Sequence, residues 1–74
     1  MYNLIDISQN TNIDQASELV DLFRKLDKYT EAGKPVVIVK DGEIKAGNSL
    51  AWSWSRVHDF QIGEGMEYRP YTND

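Results

Sequence analysis

The run Val36-Val37-Ile38-Val39 limits the fold of this chain more than any other feature. Four adjacent β-branched residues suit an extended backbone, and their side chains then point alternately to its two sides, so both sides need apolar cover. Lys40 ends the run, Asp41-Gly42 follows, and Glu43 to Ala46 resumes an extended pattern. Asp-Gly between two such segments marks a two-residue hairpin turn of type I′, in which both central residues take positive φ. An antiparallel hairpin with an interior first strand is therefore the expected centre of the fold.

A helix is expected to lead into it. Thr11 and Asn12 are both capping residues, Asn12 with Gln15 resembles a capping box, and Asp14 lies where the helix dipole favours negative charge. Ile13, Ala16, Leu19, Val20, Phe23, Leu26 and Tyr29 recur at spacings of three and four, which predicts a helix over residues 13–32. Asp21 precedes Lys25 by four residues, the favourable order for a surface pair. Gly33 and Pro35 stop the helix. On this reading Phe23 is a core residue, and its truncation to alanine is expected to cost about 3–5 kcal/mol.

The remaining segments read as strands. Tyr2 to Ile7 alternates, with Tyr2 and Leu4 on one face and Ile5 and Ile7 on the other. Gly47-Asn48 supplies a turn. Ser49 to Ser55 places Leu50, Trp52 and Trp54 on one face of a strand. A helix capped by Asn48 or Ser49 also fits Leu50, Trp54 and Val57, but Ser and Trp have modest helix propensity and the strand is preferred. His58 to Ile62 and Met66 to Tyr71 complete the set, with Gly63-Glu64-Gly65 as a turn, Pro70 at an edge and residues 72–74 fraying. The expected fold is α+β in the order β-α-β-β-β-β: one amphipathic helix on an antiparallel sheet of about four or five strands. One helix covers one sheet face, and the other must meet water or a partner.

With 74 residues the chain, 1–74, is expected to form a single compact domain. Twelve acidic residues against eight basic ones give a net charge of −4, which argues against direct nucleic-acid binding through phosphate contacts. Cysteine is absent, so thiolate chemistry and disulfides are excluded. No apolar run is long enough to span a membrane, and the N-terminus lacks the layout of a secretion signal, so a cytoplasmic location is expected. His58 is the only histidine, no serine lies in a nucleophile elbow, and the carboxylates show neither a calcium-loop nor a zinc-helix spacing. Neither an enzyme nor a bound cofactor or metal is expected.

The aromatic residues carry the functional expectation. Trp52, Trp54, Phe60, Tyr68 and Tyr71 fall in the last third of the chain, with Arg56 and Arg69 among them. Packing of Trp52 and Trp54 beneath the helix is the structural explanation. A single helix cannot cover all these rings, however, and Trp, Tyr and Arg are the usual anchors of interfaces. Trp52, Trp54, Arg56, Tyr68, Arg69 and Tyr71 are therefore the candidate partner-binding residues. Asp14, Glu18 and Asp21 form an acidic helix face that would speed association with a basic partner. The expected function is a small acidic protein-binding domain. Alternatives are a regulatory DNA-binding dimer and a module stacking a nucleotide or other small ligand on Trp52 or Trp54. Uncovered sheet edges also suggest a homodimer.

Gly33-Lys-Pro-Val-Val-Ile-Val-Lys-Asp-Gly42, following a helix and an N-terminal strand, resembles the helix-to-hairpin segment of the Phd/YefM antitoxin family. That resemblance implies a DNA-binding N-terminal portion and a toxin-binding C-terminal helix or tail. The chain departs from the family in having no basic residue before Arg24 and in a C-terminal third that reads as strands. Its size, acidity and lack of catalytic groups are also similar to those of phage-encoded inhibitors of host proteins, which implies action in a host cytoplasm.

Overall fold

The computed structural model describes residues 1–71, so the expected fraying of 72–74 lies outside the described residues. Four strands form one antiparallel sheet: β1 (Tyr2–Asp6), β2 (Thr11–Ala16), β3 (Val36–Lys40) and β4 (Glu43–Gly47), in the order β2-β1-β3-β4. Three helices join them: α1 (Leu19–Phe23), α2 (Leu26–Glu31) and α3 (Ser49–Val57). The class is α+β, as the sequence indicates. The element order is β-β-α-α-β-β-α rather than β-α-β-β-β-β.

β3 is interior on both faces. Val36 and Ile38 join Leu4, Leu22, Leu26 and Ala46 on one side. Val37 and Val39 join Ile7, Ile44 and Ala51 on the other. Each fully buried Leu, Ile or Val among them contributes about 1.5–3 kcal/mol relative to exposure. Asp41 and Gly42 take φ of 53° and 79° between the paired residues Lys40 and Glu43, the geometry of the expected type I′ turn.

The expected helix over 13–32 begins only at Leu19, because residues 11–16 pair with β1. Leu4 faces Asp14 while Ile5 faces Asn12, which leaves Ile13 as the extra residue of a β-bulge. The bulge turns Ile13 and Ala16 to the same core although they lie three apart, so a bulged strand imitates helical spacing. A second bulge, at Lys45, lets Ile44 feed one core and Ala46 the other.

α1 and α2 are nearly one helix, and Leu19, Leu22, Leu26 and Tyr29 face the sheet. Leu22 is fully buried, whereas Phe23 is 58% exposed and Val20 50% exposed. The expectation that Phe23 is core is thus corrected: with the helix starting at Leu19, its phase brings Leu22 inward. Lys25 pairs with Asp14 at 2.7 Å rather than with Asp21, tying α1–α2 to β2. The Lys25 ammonium, followed by the Gln15 backbone N–H, holds the Asp14 carboxyl below the usual carboxylate range.

Residues 49–57 are helical, not a strand, and the sheet's second face is covered by α3 rather than open. Asn48 caps α3, and Ala51 and Ser55, one turn apart, lie against the sheet. Small residues there let the helix approach closely. Gly47 serves the same contact: a Cβ on it would meet Cη2 and Cζ2 of Trp52 at 2.8 Å. The expected strands at 58–62 and 66–71 are likewise absent. Residues 63–68 instead run along β4, with Gly65 N–H donating to the Ile44 carbonyl (2.8 Å), Ile44 N–H to Met66 (2.9 Å) and Tyr68 N–H to Gly42 (2.7 Å). No helix among the described residues is long and apolar enough to cross a membrane.

Candidate functional site

The C-terminal aromatics are brought together by the way α3 ends. Asp59 takes φ 52°, Phe60 N–H donates to the Ser55 carbonyl (2.7 Å) and Asp59 N–H to Arg56 (3.3 Å). This is the paired bonding of a Schellman motif, with Asp59 where glycine is usual. It folds Phe60 back on Trp54, edge to face at 6.1 Å between ring centres. His58 stacks on Trp54 at 4.0 Å. Its Nδ1 lies 2.9 Å from the Trp54 carbonyl, and a carbonyl only accepts, so Nδ1 is the donor. Tyr71 closes the cluster, 5.1 Å from Trp54 and 5.4 Å from Phe60.

Trp54, Phe60 and Tyr71 are half-buried and His58 is exposed, and the cluster continues into exposed apolar side chains. Val57 is 80% exposed and Met66 41% exposed. Beside it a groove of about 520 Å³ is lined by Asp59, Phe60, Gln61, Met66, Glu67 and Arg69. Arg56 lines a neighbouring groove of about 380 Å³ together with Trp52 and Ile62.

The nine candidate residues therefore do not form one site. Trp54 and Tyr71 belong to the surface cluster, and Arg56 and Arg69 are exposed at its margin. Arg69 pairs with Glu67 at 3.2 Å. Trp52 and Tyr68, and Trp54 with its other side, pack against the core formed by Ile7, Val37, Val39, Ile44 and Ala51. Asp14 lies on the edge strand β2, and Glu18 and Asp21 lie around α1, which packs on the opposite sheet face. Sequence reasoning grouped Phe60 with the C-terminal aromatics without making it a candidate, and it missed His58 as a member of the cluster and Val57 and Met66 as its exposed border. The Leu50, Trp54, Val57 spacing was the signal for this helix face.

Tyr68 fastens the C-terminal segment. Its hydroxyl donates to Asn10 Oδ1 at 2.9 Å, and burial, with a smaller effect of the nearby Asp6 charge, raises its pKa. In the unfolded chain a tyrosine ionises near pH ~10. A raised folded value means that the stability from the neutral phenol is complete below that pH and lost as pH rises through the folded value. Titration at the phenolate absorption band is expected to show a late step, Tyr68 ionising above the ordinary tyrosine value, together with loosening of residues 63–71. In a Tyr68→Phe variant that late step is expected to vanish.

Among the described residues no group of three or more His, Asp or Glu side chains is placed to hold a metal ion. The chain matches no protein-family model, no curated protein and no solved structure.

Proposed function

We propose that this chain is a non-catalytic protein-binding domain that covers and blocks a macromolecular partner through the face built by α3 and residues 58–71. One observation carries the reading: rings that the fold packs together only halfway, Trp54, His58, Phe60 and Tyr71, are bordered by the exposed apolar residues Val57 and Met66. Contiguous apolar surface of this kind, edged by Arg56 and Arg69, has the composition of an interaction site. Stacking of a planar ligand on either tryptophan is less well supported. Trp54 is already stacked on His58, and the far edge of Trp52 lies over Gly47. The acids of β2 and α1 are too far round the molecule to join this face and would act through long-range attraction.

The test compares affinity capture by the wild-type chain with capture by Val57→Asp and Met66→Asp. Both side chains are exposed, so circular dichroism and melting should be little changed. Yield of the captured protein is expected to fall at least ~10-fold, equivalent to about 1.4 kcal/mol. Undiminished capture by both variants, or loss only in Glu18→Lys with Asp21→Lys, would place the partner elsewhere and end this reading.

A further inference from the structure

A second apolar surface lies on the far side of the sheet and does not rest on the reading above. Val20, Phe23, Arg24 and Asp27 follow the spacing i, i+3, i+4, i+7 along α1 and α2, and the intervening Arg24 and Lys25 keep right-handed helical backbone angles. Val20 and Phe23 are at least half exposed, which is unusual for two apolar neighbours on a helix with a well-formed core side. A groove of about 350 Å³ opens beside Phe23, bounded by Arg24, Asp27, Asn48 and Ser49. Arg24 and Asp27 are both exposed, and neither makes an ion pair among the described residues.

The charges on this ridge are self-complementary. About a twofold axis, two ridges packed antiparallel place Arg24 of each copy beside Asp27 of the other, and Phe23 of each beside the other's groove. An isologous contact of this kind uses one patch twice and closes on itself. The sheet edges offer a poorer route. The β4 edge is occupied by residues 63–68. The β2 edge carries the bulge at Ile13, and its Gln15 N–H is already bonded to Asp14 Oδ1 at 2.8 Å.

We propose that the Val20–Phe23–Arg24–Asp27 ridge docks a second copy of this chain, Phe23 entering the groove of the opposite copy and Arg24 pairing with its Asp27. The patch is small, so the dimer belongs to the weak, reversible class. Sedimentation velocity from micromolar to millimolar concentration is the test, with four chains. The wild type is expected to shift from monomer to dimer as concentration rises. Phe23→Asp is expected to stay monomeric with an unchanged circular dichroism spectrum. Arg24→Asp, which sets like charges across the axis, is also expected to stay monomeric, and Arg24→Asp with Asp27→Arg is expected to dimerise again. That rescue does not depend on how Phe23→Asp affects folding. A wild-type monomer at all concentrations, a dimer indifferent to Phe23→Asp and Arg24→Asp, or failure of the double reversal to restore association would each overturn the proposal.

Discussion

Replacing Asn48 by alanine is expected to remove about 3–5 kcal/mol of folding stability. A chain of this length holds roughly 4–11 kcal/mol in total, at ~0.05–0.15 kcal/mol per residue. The side chain is buried, and each of its hydrogen-bonding atoms is used twice. Oδ1 accepts from the N–H of Ala51 (2.9 Å) and of Val36 (3.1 Å). Nδ2 donates to the Lys34 carbonyl (2.8 Å) and to Thr30 Oγ1 (3.1 Å). One amide therefore caps α3, satisfies the start of β3 and holds the end of α2. Alanine removes the cap and leaves the Val36 N–H and the Lys34 carbonyl without their partners. Asn48→Asp keeps the accepting oxygen but turns a second acceptor toward the Lys34 carbonyl, so an intermediate loss is expected. Urea unfolding at neutral pH orders the three chains. A loss under about 1 kcal/mol for Asn48→Ala would mean that the amide does not hold these elements together.

Leu22→Ala is expected to cost about 2–5 kcal/mol, whereas Phe23→Ala, one residue on, should stay within about 0.5 kcal/mol. Leu22 is fully enclosed with Leu4, Leu26, Val36 and Ile38, and its loss opens a cavity under the helix. Phe23 has most of its surface in water. The two measurements test the helix phase directly, and comparable losses from both would return Phe23 to the core.

The phase could not be read from the chain because two stripes fit it. Ala16, Leu19, Phe23 and Leu26 keep helical spacing, and so do Leu19, Leu22, Leu26 and Tyr29. Only the start of the helix decides between them, and that start is fixed by β2 pairing with β1, a contact remote in sequence. The β3–β4 hairpin was legible because Asp41-Gly42 dictates its own backbone angles and the β-branched run has no helical rival. The faces of β1 were legible for a similar reason: Tyr2 and Leu4 join one core, Ile5 and Ile7 the other. α3 was hidden by the alternation of Ser and Trp, although its cap, Asn48, stood in view. Its end was hidden as well, since Asp59 occupies a left-handed position that usually signals itself as glycine. The aromatic-rich third of the chain was recognisable as a group. Its division into sealing rings and surface rings depends on that helix end and on the path of residues 63–68, neither of which periodicity encodes.

That division follows from α3 lying across the second sheet face, and the contact between Trp52 and Gly47 reports it most directly. A nuclear Overhauser effect between the Trp52 indole ring and the Gly47 α-protons is expected, with those protons displaced from their ordinary shift by the ring current and helical carbon shifts throughout Ser49–Val57. Extended-type shifts over the same residues, with Gly47 at its ordinary position and no effect from the indole, would leave that sheet face uncovered and contradict the arrangement on which the binding surface depends.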